Sequence, residues 1–260
     1  TTRALLRGIA IADGSQLVFI DTPGIFAPKR RLERAMVTNA WTSVQDADIA
    51  AVLIDAARGL DEEADAILAR IAGIRQPKIL LINKVDLVDK PALLAIVKAA
   101  NERAAFTATF MISALTGDGV ADVRSWLAAH VPAGPWHYPE DQITDAPLRQ
   151  LAAEITREKL YLRLHQELPY QSTVETESWK ELKDGSTRIE QPIYVERESQ
   201  RKIVLGKGGQ TIKAIGADAR RDIADMIDGT VHLFLFVKVR EHWADDPERY
   251  RGMGLEFPKA

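Results

Sequence analysis

Apolar residues form short runs in the first half of the chain, separated by stretches with the spacing of amphipathic helices. The apolar runs occupy residues 4–12, 16–20, 49–54, 78–82 and 110–112. The last three are almost uninterrupted, which indicates strands buried on both faces. Helical spacing occupies residues 32–44, 62–72, 92–104 and 120–131. This alternation predicts an α/β domain with an open sheet over residues 1–131, with a hairpin turn at Asp13-Gly14.

The pattern changes after residue 131. Residues 132–147 carry four prolines and follow the period of neither a helix nor a strand, which is typical of a linker between domains. Beyond the linker come helical patterns at 148–166 and 210–227 and strand patterns at 171–182, 187–198 and 231–239. Their order is helix, strand, strand, helix, strand. It predicts a separate α+β domain over residues 148–260, including a short C-terminal tail.

The composition supports two soluble domains. The chain has 260 residues, of which 46% are hydrophobic and 27% charged, both ordinary values for globular proteins. The formal net charge is -3, so nucleic acid must be met by a local basic patch rather than by the whole surface. Absence of cysteine excludes disulfides and cysteine-ligated zinc, and it fits a reducing cytoplasm. No apolar run approaches the roughly 18 residues of a membrane span. We therefore expect a cytoplasmic protein.

Asp21, Thr22, Pro23 and Gly24 directly follow the second predicted strand. A carboxylate at the end of a strand can hold Mg2+, usually through water. A glycine three residues later lets a backbone N–H approach a terminal phosphate. The alternative is an ordinary Asp-Pro-Gly turn without a ligand. These four residues are candidates for binding a nucleotide phosphate, with Asp21 as a magnesium ligand.

Asn83, Lys84 and Asp86 lie where the apolar run 78–82 ends. The Asp86 carboxylate can accept two N–H groups from guanine, and adenine lacks that donor pair, so the contact distinguishes the two purines. The aliphatic stem of Lys84 can cover the face of the base. The alternative is a surface turn of mixed charge. The motif indicates a site for GTP or GDP.

Ser113, Ala114 and Leu115 follow the next predicted strand. The tripeptide means little alone, and it gains weight from its place as the third segment to follow a strand. Ligands of open α/β sheets bind at the carboxyl ends of the strands. The three segments together resemble the GTPase domains of translation factors. On that resemblance, Thr2 matches the switch threonine that ligates magnesium alongside Asp21.

Two departures from GTPase patterns stand out. Ras-type enzymes orient the attacking water with a glutamine after the glycine of the phosphate segment. Ile25 occupies that position here, so we expect slow hydrolysis that depends on another group or on a partner, and no catalytic base can be named. The 260 residues also contain no GxxxxGK[ST] phosphate loop. In the resembled GTPases this loop and its strand precede the position of Thr1, so we expect the natural chain to continue upstream, with the further strand in the middle of the sheet.

Residues 203–212, IVLGKGGQTI, combine an apolar pair, a GxxG loop and an apolar helix start. Glycines let a nucleic-acid backbone pass close to the loop, and the helix start offers N–H groups to phosphate. This is the signature of a KH module, which clamps about four nucleotides of a single strand. The alternative is a glycine-rich helix entry or a phosphate loop for a small nucleotide. The candidate RNA-binding residues are Arg201, Lys202, Gly206, Lys207, Gly208, Gly209, Lys213, Arg220 and Arg221.

The layout of a GTPase domain, a linker and a KH domain resembles the Era family of bacterial GTPases. Local matches are TTR at 1–3, PEDQITD at 139–145, REKL at 157–160, ELPY at 167–170, VERE at 195–198 and VKVREHWADD at 237–246. The resemblance implies a GTP/GDP switch with Mg2+ that binds small-subunit ribosomal RNA near its 3′ end during maturation of the small ribosomal subunit. It also implies a monomer in the cytoplasm with peripheral association with the cytoplasmic membrane.

Two other interpretations stay open from the sequence. A double-GTPase protein with a KH-like tail would need a second GTPase domain, and only one NKVD-type motif occurs. A KH module on a degenerate scaffold that no longer hydrolyses GTP would explain the missing phosphate loop. The intact motif at residues 83–86 argues against the second interpretation, because guanine specificity has no use without a nucleotide.

Overall fold

The computed structural model describes residues 3, 5–164, 168 and 170–258. Thr2, Ala4 and residues 165–166, all part of the sequence predictions, lie outside this set. The chain divides into two compact units. One runs to Asp145 and also takes in the segment from Tyr250 onward, and the other runs from Ala146 to Arg249. No helix among the described residues combines the length and hydropathy that crossing a membrane requires.

The first unit contains the predicted α/β elements. Its strands are β1 (Leu6–Ala12), β2 (Ser15–Asp21), β3 (Ala50–Asp55), β4 (Lys78–Asn83) and β5 (Ala108–Met111). Its helices are α1 (Arg31–Asp46), α2 (Glu62–Ile71), α3 (Lys90–Arg103) and α4 (Val120–His130). All nine elements agree with the sequence patterns to within three residues at each end.

The strands of the first unit form two sheets, a two-stranded hairpin and a three-stranded parallel sheet. β1 and β2 make an antiparallel hairpin around Asp13-Gly14, whose backbone φ angles of 48° and 79° fit the tight turn. β3, β4 and β5 form a parallel sheet in that order. Among the described strands, β2 pairs with β1 alone and β3 with β4 alone.

Strand β4 is buried on both faces, as its apolar run predicts. Leu80 and Ile82 belong to a core shared with α1, α2 and α3. Ile79 and Leu81 belong to a second core, shared with α4 and the hairpin. The Ser15 hydroxyl donates to a backbone carbonyl of α4 at 2.9 Å. Helix α4 therefore holds the hairpin and the parallel sheet together.

The predicted linker packs with the first unit along β1. The Ile9 N–H donates to the Ile143 carbonyl at 2.8 Å. The Arg7 guanidinium lies 2.7 Å from the Asp145 carboxylate. The last residues of the linker thus extend the hairpin sheet with a short antiparallel contact, and the second unit begins directly after them.

The second unit is a sheet covered by helices on one face. Its strands are β6 (Ser172–Val174), β7 (Ser178–Glu181), β8 (Thr187–Val195) and β9 (Val231–Val239). Its helices are α5 (Leu148–Arg163), α6 (Glu198–Leu205) and α7 (Gln210–Ile227). Strand β8 is central, antiparallel to β6 and β7 on one side and parallel to β9 on the other. Leu160, Val204 and Ile215 bring one residue from each helix into the core against β8.

The predicted element order of the second unit was wrong in two places. The strand expected over 171–182 is two short strands, because residues 175–177 lie opposite only two residues of β8 and the extra residue interrupts the regular pairing. Helix α6 was not predicted, and the strand expected to reach residue 198 ends at Val195. An eight-residue helix shows little more than two turns of any pattern, too few for its period to be recognised.

The C-terminal tail packs with the first unit, although the sequence assigned it to the second domain. Helix α8 (Pro247–Gly252) leads into it. Tyr250 is 1% exposed and Leu255 4%. The Phe257 ring meets Tyr250 edge to face and lies under the Arg31 guanidinium, and the Asn39 side chain donates to the Gly254 carbonyl at 3.3 Å. Burial of these rings against α1 explains the difference, because no periodic pattern marks them in the sequence.

Candidate nucleotide site and nucleic-acid interface

The parallel sheet brings two of the predicted segments to one edge. β3, β4 and β5 run in the same direction in adjacent positions, so their carboxyl ends share an edge. β4 ends at Asn83, and residues 113–115 follow β5. Asp21 ends β2 and residues 22–24 follow it, and β2 belongs to the separate hairpin sheet. The structure thus joins the two candidate base-binding segments, while the candidate phosphate segment lies on the other sheet.

The side chain of Asn83 ties the two base-binding segments together. Its Oδ1 atom accepts hydrogen bonds from the N–H of Lys84 at 2.8 Å and from the N–H of Ala114 at 3.0 Å. A carboxamide oxygen has two lone pairs, so these bonds use its full acceptor capacity. Asn83 therefore fixes the spacing between the segments in the protein itself.

Lys84 and Asp86 follow in a tight turn. Lys84 has a left-handed backbone conformation, with φ 64° and ψ 38°, which is uncommon for a residue other than glycine. Asp86 is exposed, and its carboxylate accepts no hydrogen bond from the described part of the chain. An exposed carboxylate with open lone pairs fits the two N–H donors of a guanine base.

The loop after β5 is folded around the buried Ser113, which is 1% exposed. The Ser113 carbonyl accepts from Gly117 N–H at 2.8 Å, and the Ser113 Oγ accepts from Thr116 N–H at 3.3 Å. The Ala114 N–H is already used by Asn83. Leu115 is 90% exposed, and its N–H donates to no described residue. The amide of Leu115 is therefore open to a ligand.

Residues 21–24 form the candidate phosphate segment. Asp21 and Gly24 are exposed, and a Cβ at Gly24 would meet no atom within 4 Å, so the space over this backbone is open to a phosphate oxygen. The second predicted magnesium ligand, Thr2, lies outside the described residues. No group of three His, Cys, Asp or Glu side chains suited to a metal occurs in the described ranges. Magnesium that is held by Asp21 through water and by phosphate oxygens does not need three protein ligands, so Asp21 and its surroundings fit a magnesium ion.

Asp55, at the end of β3, is a charged residue that the sequence motifs leave out. The parallel register places it level with Asn83. Its Oδ2 atom lies 2.6 Å from the Lys84 Nζ, and this hydrogen bond is the largest influence lowering the pKa of the Asp55 carboxyl. A signal for it was present, because Asp55 follows the apolar run 49–54 directly, as Asn83 follows the run 78–82.

The GKGG loop of the second unit joins α6 to α7 through three glycines with positive φ. Gly206 has φ 70° and ψ 174°, a conformation restricted to glycine, and a Cβ there would lie 2.2 Å from the Thr211 Oγ1. Gly208 and Gly209 have φ 60° and 78°, and a Cβ on either would meet nothing within 4 Å. Gly206 thus serves the fold of the loop, whereas Gly208 and Gly209 leave its outer surface bare for a nucleic-acid backbone.

The predicted basic patch divides into paired and unpaired cations. Arg201 pairs with Glu198 at 3.0 Å, and Arg221 lies 3.6 Å from Asp218. These two guanidinium groups are thus partly neutralised by acidic neighbours on their own helices. The remaining four cations are exposed and form no ion pair within the described ranges: Lys202, Lys207, Lys213 and Arg220.

An apolar surface accompanies the loop. Ile203 on α6 is 57% exposed, whereas its neighbour Val204 is fully buried, as is Ile215 on α7. Burial of Val204 and Ile215 fixes the two helices on the sheet and sets the loop between them. Ile203 is left beside the loop as an apolar surface on which a base could rest.

Two family models match the chain. Residues 9–133 match the elongation factor Tu GTP binding domain, and residues 167–244 match the KH domain. GTPase Era of Afipia carboxidovorans is 67% identical over 259 residues, which cover 100% of this chain and 84% of that protein. GTPase Era of Bradyrhizobium diazoefficiens is 66% identical with the same coverage. GTPase Era of Brucella suis is 65% identical over 258 residues.

Solved structures agree in fold. A crystal structure of Era in complex with MgGDPNP and nucleotides 1506–1542 of 16S ribosomal RNA has a TM-score of 0.91 and 34% identity, over 98% of this chain and 87% of that one. Aquifex aeolicus Era bound to GDP and AlF4− has a TM-score of 0.90 and 34% identity, over 97% and 87%. The predicted fold class, an α/β GTPase domain followed by an α+β KH domain, is confirmed. With relatives 67% identical over its whole length, the chain belongs to the Era family of GTPases.

Proposed function

We propose that this protein is a GTP-hydrolysing switch that binds small-subunit ribosomal RNA near its 3′ end and assists maturation of the small ribosomal subunit. The observation that carries the proposal is the Asn83 Oδ1 atom, which joins the two base-binding segments at the ligand-binding edge of the sheet. The complex of the related Era with MgGDPNP and 16S ribosomal RNA supports both ligands.

Guanine recognition rests on three groups of the chain. The Asp86 carboxylate accepts the two N–H donors of the base. The Leu115 N–H donates to the guanine carbonyl, and the Lys84 stem covers one face of the ring. Adenine would leave Asp86 without donors and would present an amino group to the Leu115 N–H. Rejection of adenine nucleotides follows from these unpaired groups.

Hydrolysis uses the segment after β2. Asp21 would hold Mg2+, and the Gly24 N–H would meet the terminal phosphate. Magnesium, when bound, would supply positive charge that offsets the charge on the phosphate oxygens. Ile25 packs against the core of the first unit and has no hydrogen-bonding group to orient water. Slow hydrolysis is therefore expected until another group or a partner positions the water.

RNA binding uses the GKGG loop. The sugar–phosphate backbone of a single strand crosses Gly208 and Gly209, where no side chain intervenes. The four unpaired cations neutralise phosphates around the loop, and the first N–H groups of α7 donate to phosphate oxygens. Ile203 supplies the apolar surface for a base.

Substitution of Asp86→Asn tests the nucleotide half. The amide replaces one acceptor oxygen by a donor, so GTP should bind at least tenfold more weakly and xanthosine triphosphate more tightly. Asp89→Asn is the matched control, because Asp89 caps α3 and asparagine caps a helix equally well. Unchanged preference for GTP in Asp86→Asn, measured by equilibrium binding of both nucleotides, would remove Asp86 from the site.

Substitution of Lys207→Asp together with Gly208→Asp tests the RNA half. Aspartate tolerates the left-handed backbone of Gly208, so the fold should persist while two negative charges meet the RNA backbone. Affinity for a single-stranded segment of small-subunit ribosomal RNA should be lost, and affinity for GTP retained. Lys183→Asp, in the turn between β7 and β8, is the control. RNA affinity equal to that of the unsubstituted protein would exclude the loop as the RNA site.

Oligomeric state and location are further parts of the proposal and rest on the family resemblance. We infer a cytoplasmic monomer that associates peripherally with the cytoplasmic membrane. Sedimentation equilibrium tests the monomer, and co-sedimentation with vesicles of anionic phospholipid tests the membrane association. A stable dimer at micromolar concentration, or absence from the vesicle pellet at low salt, would contradict the respective part.

A further inference from the structure

The carboxylate of Asp55 is held at two points. Its Oδ1 atom accepts a hydrogen bond from Ala57 N–H at 2.9 Å, and its Oδ2 atom lies 2.6 Å from the Lys84 Nζ. The backbone around it is fixed as well, since the Asp55 carbonyl accepts from the N–H groups of Arg58 and Gly59 at 3.1 and 3.0 Å. Asp55 is therefore a rigid acceptor at the tip of β3.

Lys84, the partner of Asp55 in this ion pair, is equally constrained. The Lys84 backbone sits in the left-handed region, where its N–H is held by Asn83. Its side chain would otherwise be a flexible four-carbon stem on the surface, because Lys84 is about half exposed. The bond to Asp55 ties the end of that stem across the tips of β3 and β4. Both main chain and side chain of Lys84 are thus ordered by neighbours in the sheet.

Most exposed ion pairs contribute little to stability, because two long side chains must be ordered and the attraction between their charges is weak in water. The bridge from Asp55 to Lys84 differs in that one partner is short and already fixed by backbone bonds. An ordinary surface pair of this unit is Asp65 with Arg103, which joins α2 to α3 and lies on helices rather than on the strand tips.

We propose that Asp55 is a positioning residue for guanine binding: it holds the Lys84 ammonium so that the lysine stem is ordered as one wall of the base site. The inference rests on the proposed nucleotide site. Asp55 itself touches no nucleotide. Asp55 orders the Lys84 side chain in the free protein, whereas without Asp55 that side chain would become ordered only when the base binds. This is a form of preorganisation.

The effect should appear in nucleotide affinity and leave the chemical step unchanged. Ordering one flexible side chain corresponds to about a 3- to 10-fold change in the dissociation constant. The test uses Asp55→Asn in the full chain, because asparagine keeps an acceptor for the Ala57 N–H and removes the charge that holds the lysine. We expect the Kd for GDP and the KM for GTP to rise about 3- to 10-fold, with kcat and the thermal unfolding temperature nearly unchanged.

A double-substitution cycle separates positioning from a general structural role. Lys84→Met keeps the apolar stem and removes the ammonium, so Asp55→Asn should have no further effect on the Kd in that background. Asp65→Asn, which breaks the pair with Arg103, is the matched control and should leave the Kd unchanged.

An unchanged Kd in Asp55→Asn, with Asp86→Asn still altering base preference, would overturn the positioning role and leave the nucleotide site intact. A loss of affinity that persists in full on Lys84→Met would also overturn it, because the effect would not pass through the lysine. Failure of Asp86→Asn to alter base preference would instead remove the site on which both depend.

Discussion

Replacement of Gly206 by alanine should damage the fold of the second unit, whereas the same replacement at Gly208, two residues away, should damage RNA binding with little effect on the fold. Both glycines belong to the same GxxG motif. They differ in what surrounds them. A Cβ at Gly206 would lie 2.2 Å from Thr211 Oγ1 and 2.9 Å from Thr211 N, whereas a Cβ at Gly208 would meet nothing within 4 Å.

The expected magnitudes follow from these distances and from the backbone angles. At Gly206, φ 70° with ψ 174° lies in a region restricted to glycine, so strain contributes about 1–3 kcal/mol. The clash with the Thr211 backbone adds about 1–3 kcal/mol of overpacking. The sum is about 4 kcal/mol for Gly206→Ala. At Gly208, φ 60° with ψ 20° is the left-handed helical region, where alanine costs about 1 kcal/mol.

The loss of stability is measured by urea unfolding of the full chain, followed by a signal from the second unit. The loss of RNA affinity is measured by fluorescence anisotropy with a labelled single-stranded RNA. Gly208→Ala should bind RNA at least fivefold more weakly while losing about 1 kcal/mol of stability, because its methyl group lies where the RNA backbone passes. Equal loss of stability in the two variants would refute the assignment of Gly206 to the fold and Gly208 to the ligand.

Three further outcomes are expected. Asn83→Ala should lower stability by about 1–2 kcal/mol, since the amides of Lys84 and Ala114 lose their acceptor, and GTP affinity should fall with it, by urea unfolding and nucleotide binding. The hydrogen bond from Lys159 lowers the pKa of Asp222, so this pair stabilises the fold above about pH 4, and its contribution is lost as the pH falls further. Between about pH 5 and 3, the free energy of unfolding of the Asp222→Asn variant should therefore fall less than that of the unsubstituted chain. Phe257→Ala should lower the stability of the first unit by about 1–2 kcal/mol, with the exposed Glu256→Ala as control, because the ring packs against Tyr250 and Arg31.

The elements that the sequence predicts well are those with a long, regular pattern. Helix α7 and strand β9 begin and end at the predicted residues. Helix α7 repeats the apolar period of a helix over 18 residues, and a turn that contains glycine precedes β9. Helix α6 was missed because its eight residues show too little of a period, and the tail was missed because its burial depends on a partner far along the chain. Phe257 meets Arg31, 226 positions earlier. A local pattern carries no information about such contacts.

The candidate site shows the same division. Asn83 and Asp86 were identified because they belong to one short motif that begins at the end of a strand. Asp55 has the same position relative to its own strand, yet it belongs to no short motif. Its partner, Lys84, is 29 residues away, and only the parallel register of β3 and β4 brings the two side chains together. Ionic partners of this kind become visible once the pairing of the strands is known.

Motif residues in this chain fall into two physical groups that the sequence does not distinguish. Asn83 and Gly206 face protein atoms: one bonds two backbone amides, and the other has no room for a Cβ. Asp86 and Gly208 face no described protein group. A short binding motif needs residues of both groups, because a segment can bind a ligand only if its own backbone is held in place. Substitutions in the first group should therefore lower stability and affinity together, and those in the second should lower affinity with a loss of stability of about 1 kcal/mol at most. The ratio of the two losses thus assigns each motif residue to the scaffold or to the ligand.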